Sequence, residues 1–106
     1  MIKRIWRGWT TRENAEKYYD ALTSKVIPSI EAKKIPGYRN FEVLRKDNDD
    51  EIEFLTIITF DSLQNVIDFQ GDDYTRAYVP EVAQAVLKRW DHHCLHYESI
   101  DWRNNS

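Results

Sequence analysis

An α+β domain with one antiparallel sheet and helices on a single face is the fold this sequence predicts. Three observations lead there. Strand-forming and amphipathic helical segments follow one another in the order β-α-β-β-α-α-β, the split βαβ, ferredoxin-like pattern. The run Phe54-Leu55-Thr56-Ile57-Ile58-Thr59-Phe60 is apolar on both faces, whereas a strand with one wet face would alternate. The chain has 106 residues, enough for one domain with a thin core that a partner surface would help. Helices cover one face of such a sheet; a second copy packing sheet on sheet would cover the other, so a homodimer is expected.

The elements follow in chain order. Ile2 to Trp9 alternates bulky and polar residues and predicts the first strand. Thr10-Thr11-Arg12-Glu13 has the form of a capping box, with Thr10 at the N-cap. Ala15, Tyr18, Tyr19, Leu22, Val26 and Ile30 then form one helical stripe, which Pro28 should kink or weaken near Ser24. Pro36-Gly37 turns the chain into two strands, Tyr38–Lys46 and Glu51–Phe60, joined by the polar link Asp47-Asn48-Asp49-Asp50. Asp61-Ser62-Leu63-Gln64 is a second capping box, opening a short helix that stops at Gly71. Asp72 or Asp73 would cap a further turn bearing Tyr74, Ala77 and Tyr78. Pro80 starts a third helix, with Val82, Val86, Leu87 and Trp90 inward, and His92–Ile100 is the last strand. The domain spans residues 1–99, with a polar tail over 100–106.

Composition narrows the function. Fifteen Lys and Arg against 18 Asp and Glu give a formal net charge of −3, so nucleic acid is not an expected partner. The single cysteine, Cys94, allows no intramolecular disulfide framework and predicts a reducing compartment. No run of about 18 apolar residues predicts a membrane span, and Met1–Arg7 holds no signal-peptide core. A cytoplasmic location is therefore expected. Gly-rich phosphate loops and the Gly-x-Ser-x-Gly elbow are absent, so nucleotide-dependent and serine-hydrolase chemistry are not expected.

Four Trp, six Tyr and four Phe serve either packing or a pocket for flat ligands. The first strand places Arg4, Trp6 and Gly8 on one face, and Gly8 leaves a gap beside Trp6. Trp6 is therefore a candidate cleft wall as well as a core ring. Phe69, Tyr74 and Tyr78 flank the Gly71 break, where they form either a mobile pocket wall or the end of a small core. On the last strand His92, Cys94, His96 and Glu98 share a face, but no second ligand cluster supports a metal, and none is expected. His96 is a candidate general base or hydrogen-bond donor, or a satisfied core histidine. Cys94 has no Cys-x-x-Cys partner and is not expected to be a nucleophile. Lys3, Arg4 and Arg7 read as solvated strand-edge residues, and Asp47–Glu51 as a solvated turn.

Several segments carry a family resemblance: Ile2–Thr10, Ile35-Pro36-Gly37-Tyr38, Glu53-Phe54-Leu55-Thr56-Ile57 leading to Phe60-Asp61-Ser62, Asp73-Tyr74-Thr75-Arg76-Ala77-Tyr78-Val79-Pro80 and His96-Tyr97-Glu98. Across residues 1–99 the chain resembles the antibiotic biosynthesis monooxygenase-like family of dimeric α+β barrels. The resemblance implies a ferredoxin-like protomer, a homodimer through the sheet face and a cleft between sheet and helices. Some members oxygenate polycyclic aromatics without metal or flavin, and others degrade haem. The haem-degrading branch uses an Asn, a Trp and a His where this chain has Trp6, Phe69 and Tyr78, so haem degradation is the lesser expectation.

The function implied is a cofactor-independent monooxygenase acting on an aromatic or other apolar small molecule. His96 would be the base and Tyr78 the donor to the substrate oxygen. Trp6, Phe69 and Tyr74 would be the walls, with Arg76 a further substrate contact. The alternative from another class is a non-catalytic small-molecule-binding or stress-response dimer.

Overall fold

Alternation along two ten-residue strands sets the architecture. Strand β1 (Ile2–Thr11) and strand β3 (Glu51–Phe60) pair antiparallel over their whole length, from Ile2 opposite Phe60 to Thr11 opposite Glu51. This register puts Arg4, Trp6, Gly8 and Thr10 on the same face as Ile52, Phe54, Thr56, Ile58 and Phe60, and all nine are buried. The computed structural model describes residues 1–105. Strand β2 (Tyr38–Asp47) pairs with the far edge of β3, while β4 (Arg89–Trp90) and β5 (Leu95–Glu98) both pair with the free edge of β1. The protein is thus α+β, with a five-stranded antiparallel sheet in the order β2-β3-β1-β4 and β5 beside β1, compatible with a ferredoxin-like pattern.

Helix α1 (Ala15–Ala21), a π-helical stretch (Leu22–Val26) and α2 (Ile27–Ala32) run on without a break. Pro28 has no N–H to donate and its ring crowds the carbonyl four residues back. The weakening expected near Ser24 takes the form of this wider π turn, in which the Ile27 N–H bonds the Leu22 carbonyl. Tyr18, Leu22, Val26 and Ile30 all point into the core, where Tyr18 meets Phe54 edge-on with ring centroids 4.8 Å apart. Helix α3 (Leu63–Gln70) buries Val66 and Phe69 against the same core. Each such buried side chain contributes about 1.5–3 kcal/mol of transfer free energy. Gly37, at φ +83°, makes the turn before β2.

Several local expectations need correcting. Thr10 does not cap a helix: β1 continues through Thr11 because its pairing with β3 continues, and Thr10 is fully buried. Asn14 takes the N-cap position, without a side-chain cap hydrogen bond. The second capping box forms one residue later than expected, between Ser62 and Asn65. The turn around Tyr74 is irregular rather than helical. The third helix is a single turn, α4 (Glu81–Gln84), and Trp90 belongs to β4, opposite Gly8. Strand β5 starts at Leu95, so His92 lies outside it. The tail is exposed over residues 101–105, and Ser106 lies outside the described residues. Among the described residues, no helix is long and apolar enough to cross a membrane.

The two faces of the sheet differ. The face away from the core carries Ile5, Leu55 and Ile57, half-buried, beside the more exposed Leu44, Leu95 and Tyr97.

Candidate functional site

A cleft opens between the sheet and the helices. It measures about 500 Å³ out to its mouth and narrows to about 40 Å³ of space wide enough for the centre of a water molecule. The sheet supplies Arg4, Trp6 and Thr56, the π turn supplies Leu22 and Val26, and the segment after α3 supplies Tyr78. Widened helical turns of this kind recur at functional sites because they displace side chains from regular helical spacing.

Trp6 is fixed at both ends. Its indole Nε1–H donates to the Asp91 carbonyl at 2.8 Å, and its ring reaches over Gly8. A Cβ on Gly8 would stand 2.5 Å from the Trp6 Cη2, so only glycine leaves the ring where it is. Phe69 is buried and meets Tyr78 edge-on at 6.1 Å. The Lys33 ammonium stands 4.7 Å from both ring centroids, a cation over two aromatic faces. Tyr78 is 37% exposed and forms part of the rim.

Arg4 is the residue that sequence reasoning placed wrongly. Instead of being a solvated strand-edge residue, it is 3% exposed and lines the cleft. One Nη1–H donates to the Tyr74 carbonyl at 2.6 Å and an Nη2–H to the Arg76 carbonyl at 2.8 Å. Nη1 also lies 2.9 Å from His96 Nε2. An arginine carries only donors, so His96 Nε2 must accept this bond and the ring proton sits on Nδ1. The signal for burial was in the alternation: Arg4 shares a face with Trp6 and Gly8.

His96 is therefore tied to Arg4 and is not among the residues lining the cleft. Burial, and after it the charge of Arg4, pushes its pKa down to about 4, so it is neutral at pH 7. Tyr74 packs edge-on against His96 at 5.3 Å and also stands outside the lining. Arg76 is exposed and lines a separate, more polar cavity of about 600 Å³ with Trp90 and His92. The structure thus brings Trp6, Phe69 and Tyr78 together around one cleft, with His96 and Tyr74 behind Arg4 and Arg76 elsewhere.

The remaining polar groups are few. Burial pushes the Cys94 thiol above its ordinary pKa, the opposite of an activated nucleophile. Burial also raises the pKa of the Tyr18 phenol, so it stays protonated and can donate. His92 packs at a tilt against Trp90, centroids 5.8 Å apart, and His93 meets Thr75 at 3.3 Å, so the histidines near the chain end do not converge. What the cleft offers is aromatic and aliphatic walls, a buried cation and three hydroxyls, from Tyr18, Thr56 and Tyr78. The sequence matches no protein-family model and no curated protein.

Proposed function

We propose that the cleft binds a flat apolar or aromatic small molecule, and that the protein is a monooxygenase that uses no bound cofactor. The observation that supports this reading is a cleft lined by Trp6, Phe69 and Tyr78 together with the buried cation Arg4. An activated ring methylene or phenol that enters as its anion is electron-rich enough to react with oxygen directly. For a methylene, one substrate molecule and one molecule of dioxygen give one ketone and one molecule of water. One oxygen atom enters the product and the other leaves as water, with the hydrogen the anion retains and a solvent proton replacing the one lost on ionisation.

The protein's part is orientation, exclusion of water and stabilisation of the anion. Tyr78 is placed on the rim to donate to a substrate oxygen. His96, with Nε2 occupied by Arg4, holds that cation in place instead of taking the substrate proton. It is thus a positioning residue in this proposal.

Oxygen uptake with a panel of phenols and anthrone-type substrates tests the reading. Tyr78→Phe should lower turnover while leaving the oligomeric state unchanged; equal turnover removes Tyr78 from the mechanism. A second reading, a binding protein without turnover, is favoured by the tethering of His96, and ligand binding with no oxygen uptake would decide for it. Haem is a poorer fit, because no histidine lines the cleft; a shifted Soret band on adding haemin would revive it.

The finer architecture belongs to the same proposal: a ferredoxin-like protomer in a dimeric α+β barrel. The apolar row Leu95, Ile5 and Ile57 on the outer sheet face would pack against a second copy. Ile57→Glu should then dissociate the dimer in sedimentation, and a monomeric wild type would contradict it.

A further inference from the structure

We propose that Arg4 anchors an anionic oxygen, a carboxylate or phenolate, on the flat aromatic ligand held in this cleft. The inference rests on the cleft being the binding site and adds the charge of its occupant. Among the described residues no carboxylate pairs with Arg4; its hydrogen-bond partners are two backbone carbonyls and one imidazole nitrogen, and its guanidinium carbon lies 5.6 Å from the Phe69 ring centroid. Those bonds engage three of the five guanidinium N–H groups, leaving donors for a ligand.

Burying a cation without a counter-ion costs several kcal/mol. Tying the 74–76 segment to the sheet does not require that cost, since a neutral amide side chain also donates to carbonyls. An incoming oxyanion would supply the missing counter-charge in a site of low dielectric, where a charge-assisted hydrogen bond is strongest. Lys33, exposed and outside the lining, stands over the Phe69 and Tyr78 rings and adds positive charge near the same end of the cleft. Neither Asp nor Glu contributes to the lining. The aromatic rings of the lining suit an aromatic frame, and the hydroxyls of Tyr18, Thr56 and Tyr78 are further donors on its walls.

Titration calorimetry on the whole protein provides the test, with benzoate, 4-nitrophenolate and the neutral amide benzamide as probes. Benzoate and benzamide have nearly the same shape and differ in charge. The wild type should bind at least one of the two anions ten-fold or more tightly than benzamide, and which anion wins separates carboxylate from phenolate. Arg4→Gln should abolish that preference, whereas Arg89→Gln, which removes a surface arginine, should leave it intact. Equal affinities for anion and amide, or no binding of any probe, would overturn the proposal. If Arg4→Gln fails to fold, the wild-type ratio still decides, together with the Arg89→Gln control. Oxygen uptake is not read in this experiment, so a catalytically inert protein that still prefers the anion would sink the monooxygenase reading and leave the Arg4 anchor standing.

Discussion

Arg4 and Arg7 stand three residues apart on the same strand, on opposite faces of the sheet, and the fold treats them in opposite ways. Arg7 is exposed, pairs with Asp91 at 3.2 Å and lies 5.2 Å from the centre of the Trp9 ring. Arg89 covers the same ring at 3.9 Å and pairs with Glu51, so the outer face compensates its cations with carboxylates and water. Arg4 has neither. A solvated, paired arginine contributes about 0–1 kcal/mol and calls for no special explanation. A buried, unpaired one is destabilising on its own, and that cost points to a ligand.

The largest expected effect comes from Gly8→Ala on the core face. The added Cβ, 2.5 Å from Trp6 Cη2 and 3.1 Å from Leu87 Cδ2, forces the Trp6 ring off its position over Gly8 and crowds Leu87. Overpacking of this kind costs about 1–3 kcal/mol, measurable by urea unfolding, and it should also change ligand affinity. An unchanged stability would show that Trp6 has room to move and is no fixed wall.

Next comes pH. His96 titrates near 4 when folded, below its ordinary value of 6.5, so the unfolded chain binds the extra proton first. Stability from this group is fully present above about pH 6.5 and is lost as pH falls toward 4. Allowing for solvent screening at a partly exposed ring, the loss is on the order of 1–2 kcal/mol. His96→Gln should flatten this part of the stability profile; an unaltered profile would remove the Arg4–His96 contact from the account. The smallest effect belongs to Arg7→Gln, which should change stability by less than about 1 kcal/mol and leave anion binding untouched. A loss as large as that of Arg4→Gln would erase the distinction between the two faces.

Much of the fold was legible because strands declare themselves, by alternation in β1 and by a continuous β-rich run in β3. Strand β3 runs over Glu51–Phe60 as its pattern indicates, and β1 places Arg4, Trp6 and Gly8 together as period 2 requires. The last third was less legible. Val82, Val86, Leu87 and Trp90 have helical spacing, yet Val82 is 37% exposed and Trp90 is drawn into a strand opposite Gly8. There the free edge of β1 supplies backbone partners that local propensity does not register. The cleft was half legible: strand alternation and the gap at Gly8 singled out Trp6, and the Gly71 break singled out Phe69 and Tyr78, all three of which line it. The role of Arg4 was hidden because charge in sequence reads as exposure, and only its neighbours on the strand argued otherwise.

A positive charge without a carboxylate partner among the described residues sits inside a largely apolar cleft. The ionisation of bound 4-nitrophenol, followed by its phenolate absorption as pH is varied, tests this most directly. Apolar burial alone raises a phenol's pKa, whereas a buried guanidinium beside the oxygen lowers it. The account predicts that bound nitrophenol ionises at a lower pH than free nitrophenol, and that Arg4→Gln reverses the direction. A bound phenol whose pKa is raised in the wild type would contradict it.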